Sequence, residues 1–279
     1  KAPSIAFVLP TPDNDSTQSE NYVEINVSIN TTTLDEVIWN WNGTNYSVYD
    51  DSLVLMMNFD NVSALGENDS YVVDVSGNGN DGTCSGGSCP TYDSSGKYGT
   101  TFSYDNGDYF NLGDNPETDL VGGDFTVSAW VNIRNYVSVA TWDERIVIKR
   151  MDANNAYQLD TCGAASDCTN DGFLFCINKG GTQYCNITQT VPSTDVWYYV
   201  VGTFNDSTNK VSIYLNGVDD SGDLLDGGIP AIGSTDNLYI GRRGSEGGGV
   251  DGLIDEVRIW NRSLGADEIS QLYMSNLNK

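Results

Sequence analysis

The chain has 279 residues, with 13 Lys plus Arg against 39 Asp plus Glu, a formal net charge of −26 and no histidine. Such a surface repels phosphate, which excludes nucleic acid and anionic membranes as partners. Without histidine the usual general base, the Ser-His and Cys-His nucleophile pairs and the commonest zinc and copper ligand are missing, so hydrolytic chemistry would have to run on carboxylates alone. Hydrophobic residues make up 39% and aromatic residues 11%, enough to build real cores. The acids are 30 Asp and nine Glu. Asp suits turns and calcium loops, although solubility in a saline habitat accounts for the same bias.

Ser4 to Asp50 carries three runs with strand character, Ile5–Leu9, Tyr22–Ile29 and Glu36–Val48, separated by turn-rich stretches. In the second run Val23, Ile25, Val27 and Ile29 alternate onto one face. These residues resemble the opening half of an immunoglobulin-like sandwich, which needs roughly 100 residues to close. Either another chain or later sequence supplies the missing strands, or the segment packs on the larger domain. The expected division is therefore 1–50 as a partial Ig-like β segment and 51–279 as a second domain.

From Ser52 onward, short strands follow one another between Gly-, Asn- and Asp-rich turns, the pattern of an all-β sandwich or jelly roll. The candidates are Leu53–Phe59, Thr100–Phe102, Tyr109–Leu112, Phe125–Ile133, Arg145–Lys149, Tyr157–Asp160, Phe173–Asn178, Trp197–Asn205, Val211–Leu215, Leu238–Gly241 and Leu253–Trp260. A short helix closes the chain: Gly265 can act as N-cap with Glu268 reaching back, and Ile269, Leu272 and Tyr273 form one apolar stripe.

The cysteines at 84, 89, 162, 168, 176 and 185 contain no C-x-x-C spacing. Six cysteines allow 15 pairings, and adjacency favours Cys84–Cys89, Cys162–Cys168 and Cys176–Cys185, the last around a hairpin tip at Ile177–Gly181. Such bonds persist in an oxidising compartment; reduced core cysteines are the alternative. Asn-x-Ser/Thr occurs at Asn14, Asn26, Asn30, Asn42, Asn45, Asn61, Asn68, Asn186, Asn205 and Asn261, which marks them as glycosylation acceptors in a secreted chain. The chain opens on Lys1 without a signal peptide and reads as a processed or excised segment. No apolar run approaches the ~20 residues of a membrane span, so any membrane anchor is expected outside this sequence.

The stretches Asp74-Val-Ser-Gly-Asn-Gly-Asn-Asp-Gly-Thr83, Gly96-Lys-Tyr-Gly99, Gly123-Asp-Phe-Thr-Val-Ser-Ala-Trp-Val131, Val211-Ser-Ile-Tyr-Leu-Asn-Gly217, Leu238-Tyr-Ile-Gly241 and Asp251-Gly-Leu-Ile-Asp-Glu-Val-Arg-Ile-Trp-Asn-Arg-Ser-Leu264, with Trp197 in its strand, form an ordered set over residues 52–275. Together they resemble a laminin-G-like domain of the concanavalin-A-like lectin/glucanase superfamily. That resemblance implies two curved antiparallel sheets, a bound calcium and recognition of carbohydrate or protein at cell surfaces. The insert from Thr161 to Cys185 is longer than the family leads one to expect. The N-terminal segment running into Asp50-Asp-Ser-Leu-Val-Leu55 is similar to surface proteins of archaea and related microbes, in which such a domain interrupts an Ig-like one.

Alternation along Leu253–Ile259 puts Asp255 on the core face with Leu253, Val257 and Ile259. A buried carboxylate needs a cation or several N–H donors. The resemblance assigns Asp255 to calcium, with help from Asp60 and from Asn106 or Gly107; a bulge turning Asp255 outward to Arg258 or Arg262 is the alternative. Asp74-Val-Ser-Gly-Asn-Gly79 starts like an EF-hand loop but meets Ser85 at position 12 and has no flanking helices, so Asp74 is a turn former first and a calcium ligand second. Glucanases of this fold carry Glu-x-Asp-x-x-Glu or Glu-x-Asp-x-Glu, and neither occurs, which argues against catalysis. For ligand binding the candidates are Trp142, Arg145, Arg242 and Arg243 in loop-like sequence, while Trp130 is a packed sandwich Trp before it is a sugar platform. The sequence thus leads to an extracellular, disulfide-bonded, calcium-stabilised, non-catalytic module whose partner is a carbohydrate or surface glycoprotein. The alternative is a filament or surface-layer subunit that completes its half sandwich with copies of itself.

Overall fold

The computed structural model describes residues 4–8, 11–13, 16–17, 26–30, 37–41, 44–105, 107–136, 144–151, 154–162, 171–222, 236–242 and 248–274. The chain divides into two compact units, residues 1–51 and 52–278.

In the first unit the described strands form two separate hairpin sheets. Ser4–Val8 pairs antiparallel with Asn26–Asn30, placing Ile5 opposite Ile29 and Phe7 opposite Val27. Val37–Trp41 pairs with Thr44–Tyr49. The run Glu36–Val48 is therefore two strands rather than one, and the signal was the Asn42-Gly43 dipeptide in its middle, the strongest short-range hairpin signature. Among the described residues no strand pairing extends these hairpins toward an Ig-like sheet.

The second unit is all-β, two sheets face to face with one C-terminal helix, Ala266–Met274. Its described strands make a nine-stranded and an eight-stranded sheet. The eight-stranded sheet centres on Phe125–Ile133, flanked by Trp197–Asn205 and Gly252–Trp260. The nine-stranded sheet centres on Glu144–Arg150, flanked by Ala156–Cys162 and Asp236–Ile240. Period-2 alternation decides what lies between them: Phe125, Val127, Ala129, Val131 and Ile133 from one sheet meet Val147, Tyr157, Leu159, Phe173, Phe175 and Ile177 from the other. Phe125 sits at the centre, 5.1 Å from the Tyr157 ring, 5.6 Å from Phe204 and 6.1 Å from Phe175. Each such aromatic contributes ~1.5–3 kcal/mol by leaving water.

Two details of sequence fix this packing. Gly202 lies where a Cβ would stand 2.1 Å from the Phe175 ring, so only glycine lets the sheets approach this closely. At the edge, Asp74 accepts backbone N–H groups of Met56, Ser76 and Asn80, and the amides of Asn78 and Asn80 donate to Val54 O. The Asp74–Asn80 turn thus occupies the free edge of strand Leu53–Met57, protecting it from foreign strand pairing. The helix begins as its sequence requires, with Glu268 accepting from Gly265 N at 2.8 Å.

Cys84–Cys89 and Cys176–Cys185 are disulfides. Cys162 is disulfide-bonded as well, and Cys168, its expected partner, lies outside the described residues.

Gly202→Ala should lower stability by ~1–3 kcal/mol, the range for overpacking a dense core, read as a fall in the urea midpoint at unchanged slope. A shift within error would mean that the sheets are not held at this spacing.

Candidate functional site

Two places in the second unit carry polar chemistry beyond packing. The first surrounds Asp255 and Asp60. Asp255 is fully buried. Its Oδ2 accepts Lys97 N at 2.8 Å and Tyr98 N at 3.2 Å, and its Oδ1 accepts Glu256 N at 2.9 Å. Asp60 Oδ1 accepts Thr100 N at 3.2 Å, while Thr100 Oγ1 donates to Phe59 O. The backbone is bent to make this arrangement. Of the six described non-glycine residues at positive φ, Phe59 and Asn61 flank Asp60 and Glu256 follows Asp255; left-handed backbone at such residues costs ~1–3 kcal/mol and gathers at functional sites. Gly99, at φ +63°, passes so close that a Cβ would lie 2.1 Å from Asp60 Oδ1.

Burial pushes the Asp255 carboxyl well above the usual carboxylate range, with Glu256 and Asp60 adding to it and the Tyr98 and Lys97 N–H groups opposing it. Burial likewise raises Asp60. Glu256 is pushed up to about 7 by burial, against the pull of Arg258, to which it is ion-paired. The bulge suspected from sequence is present: pairing with Phe125–Ile133 shifts register between Ser128 and Trp130. It turns Glu256, not Asp255, toward Arg258, and Asp255 stays inside without a cation among its described partners.

The resemblance implies calcium here. The donors fit a hard cation in kind, being carboxylate oxygens in a site whose charges repel one another. No group of three or more acidic or Cys side chains is gathered among the described residues, so backbone carbonyls or water would have to complete the shell. Asp60 and Asp255 are thus brought together as expected. Gly107 is not with them: strand Thr101–Tyr104 separates its loop from Thr100, and Gly107 O accepts Arg242 Nη1 at 3.4 Å instead. Asn106 lies outside the described residues. Both Asp74 oxygens accept backbone N–H groups, as the turn-forming role requires.

The second place is the outer face of the nine-stranded sheet. Register neighbours form one row across it: Asn111, Tyr239, Ile148, Gln158, Cys176 and Cys185. Tyr239 is half-buried, its ring 5.6 Å from that of Tyr109 at 84°, and Asn237 Nδ2 donates to Asn111 Oδ1 at 2.8 Å. Gln158 is 5% exposed and its Nε2 has no acceptor among the described residues. One row further, Arg145 is ion-paired with Asp160. Arg145 was expected in a loop; it is buried in strand Glu144–Arg150. Arg242 comes to the same end of the sheet, because Gly241 N donates to Ile146 O. Trp142 and Arg243 lie outside the described residues. Tyr109, Tyr239, Asn111 and Asn237 were not singled out from sequence, although alternation could have found them: Tyr239 stands between the core residues Leu238 and Ile240 and must face outward.

Trp130 is 3% exposed, packed under the C-terminal helix by Tyr273 and not a platform. Among the sequons, Asn61 and Asn205 are half-buried and Asn68 and Asn261 are exposed. Asn186 is a correction: it is 4% exposed with its amide donating to Val211 O, because it faces the core side of its strand. Asn14 and Asn42 lie outside the described residues, as do the side chains of Asn26, Asn30 and Asn45.

In the presence of a chelator, stability should fall as pH rises from 4.5 to about 7. Glu256 keeps a proton in the folded chain that the unfolded chain has already released at its ordinary 4.5, so stability is lost up to about 7; Asp255 shifts the same way. A melting temperature that rises over this interval would contradict the upward shift that burial gives these acids.

A search of curated proteins finds no match. Solved structures share the fold. The binding domain of Paraclostridial Mosquitocidal Protein 1 aligns with a TM-score of 0.57 at 18% identity over 80% of this chain, which spans 52% of that domain. Domain 4 of AbnA, a GH43 extracellular arabinanase from Geobacillus stearothermophilus in complex with arabinotriose, aligns at 0.56 and 22% identity, covering 80% of this chain and 98% of that one. Trypanosoma rangeli sialidase aligns at 0.54 and 16% identity, over 84% of this chain and 34% of the enzyme. At these identities the likeness shows the fold alone. A sequence match to the laminin G type of the concanavalin A-like lectin/glucanases superfamily covers residues 104–270, more than half of the chain, and the protein belongs to that superfamily.

Proposed function

We propose that this chain is a non-catalytic, extracellular carbohydrate-recognition module of a cell-surface protein, stabilised by calcium at Asp60 and Asp255. The observation that carries the sugar reading is the half-buried Tyr109–Tyr239 ring pair beside the Asn111–Asn237 amides, on a sheet face the sandwich core does not use. Sugar rings stack on aromatic faces and their hydroxyls exchange hydrogen bonds with planar amides. The arabinanase domain solved with arabinotriose and the toxin binding domain share the fold, which supports a binding role. Against catalysis, the two acids brought together, Asp60 and Asp255, already accept backbone N–H groups and lie beneath the Gly96–Thr100 segment. The disulfides support an extracellular setting.

A glycan array with the whole chain, in calcium and again in chelator, tests this. Binding to a defined sugar class is expected, weakened about tenfold or more by Tyr239→Ala, the scale of losing one stacked ring and its contacts. Binding unchanged by Tyr239→Ala would place the site elsewhere; no binding by folded protein would end the sugar reading.

A second reading, an assembling surface subunit, is favoured by one observation. Ile5 and Phe7 are 70% and 67% exposed on one face of the first hairpin, beside Val27 and Ile29. If that face self-associates, sedimentation should show concentration-dependent oligomers that Phe7→Glu abolishes; a monomer at every concentration rules it out.

A further inference from the structure

The segment Gly96–Thr100 touches two things at once. Its backbone serves the carboxylates: Lys97 N and Tyr98 N donate to Asp255, and Thr100 N to Asp60. Its side chains pack on Trp130, the register neighbour of Asp255. Lys97 Nζ sits 4.2 Å from the Trp130 ring and 5.7 Å from that of Tyr98, and the Tyr98 ring meets Trp130 edge-on at 5.8 Å. In a chain with 39 acids this ammonium has no carboxylate partner among the described residues and rests on rings instead. Trp130 in turn carries the C-terminal helix, stacking on Tyr273 at 5.6 Å and 27°, with Tyr199 beside both. The helix has no slack there, since a Cβ at Gly217 would lie 3.0 Å from Tyr273 Cβ.

We propose that Gly96–Thr100 is a strap through which a divalent cation at Asp60 and Asp255 controls how tightly the C-terminal helix is docked. The inference rests on the calcium reading above. The physical reason is that one strap is held by two carboxylates that repel each other. Backbone N–H groups of this turn are what the described structure offers to offset that repulsion. A cation removes it, so that both acids hold the strap together. The strap then presents Lys97 and Tyr98 to Trp130 in one fixed place, and Trp130 presents a fixed face to Tyr273. Linkage makes the coupling reciprocal: whatever factor calcium adds to helix docking, helix docking adds to calcium affinity.

Three measurements on the whole chain decide it. Calorimetry with calcium chloride reads cation binding directly. Hydrogen exchange of the Ile269–Tyr273 amides, with and without saturating calcium, reads docking, and calcium should slow it about tenfold, within the usual range of such couplings. Lys97→Ala should shrink that effect to less than about threefold, because the cation–π contact that carries it is gone. Tyr273→Ala, which is remote from the acids, should weaken calcium binding by the same factor by which calcium slows exchange in the native chain. If calcium binds and helix exchange does not change, or if Lys97→Ala keeps the full effect, the strap is overturned while the calcium site stands. If calorimetry shows no calcium binding, the site and the strap fall together.

Discussion

A buried carboxylate held by backbone N–H groups is the constraint around which this sandwich is arranged. Asp255 lies inside strand Gly252–Trp260 and accepts three backbone N–H groups, two of them from a loop about 157 residues earlier in the chain. An uncompensated carboxylate there would cost more than a domain's whole ~5–15 kcal/mol of stability. The loop must therefore come to the strand, and its route past Asp60 explains Gly99, the left-handed Phe59 and Asn61, and the bulge at Glu256.

The scarcity of cations makes the arrangement necessary. With 13 basic residues against 39 acids, several of those described are held by ion pairs: Arg145 by Asp160, Lys149 by Asp114 and Asp119, Arg134 by Asp251 and Asp105, and Arg258 by Glu256. Buried pairs of this kind contribute little net stability, yet removing one partner is severe, since it strands a charge in low dielectric. A protein so organised has few arginines to offer a ligand. Arg145 shows the consequence: its guanidinium is spent inside the sheet, and the accessible chemistry on that face is left to tyrosines and amides.

What was legible in the sequence follows from periodicity. The strands around Phe125 and Phe173 alternate cleanly; the first is flanked by those around Trp197 and Gly252, and the second pairs in the other sheet with Ala156–Cys162. The capping Gly265-x-x-Glu268 and the hairpin at Ile177–Gly181 are local chemistry, settled within a few residues. What was not legible depends on register. Alternation grouped Asp255 with Val257 and Ile259 on the core face, but the bulge breaks that phase: Ile254 is the core residue, Asp255 pairs in register with Trp130 on the opposite face, and it is Glu256 that meets Arg258. The resemblance implied Asn106 or Gly107 beside the acids, and the four-residue strand Thr101–Tyr104 carries the Gly107 loop to the other end. Tyr239 was visible as an outward aromatic only to a reader who trusted the strand more than the residue type.

The same reasoning separates the two faces of the molecule. On the outer face of the eight-stranded sheet Trp130 lies between Lys97, Tyr98, Tyr199 and Tyr273, and the helix covers it. An aromatic enclosed in that way transmits position and cannot receive a sugar. On the nine-stranded sheet the tyrosines meet edge to face and are half-buried, flanked by the hydrogen-bonded amides of Asn111 and Asn237. The proposed recognition face and the proposed strap thus lie on opposite sheets, so that a ligand on one side would not have to displace the packing that holds the other. Only the core between them, closed at Gly202 against Phe175, is shared.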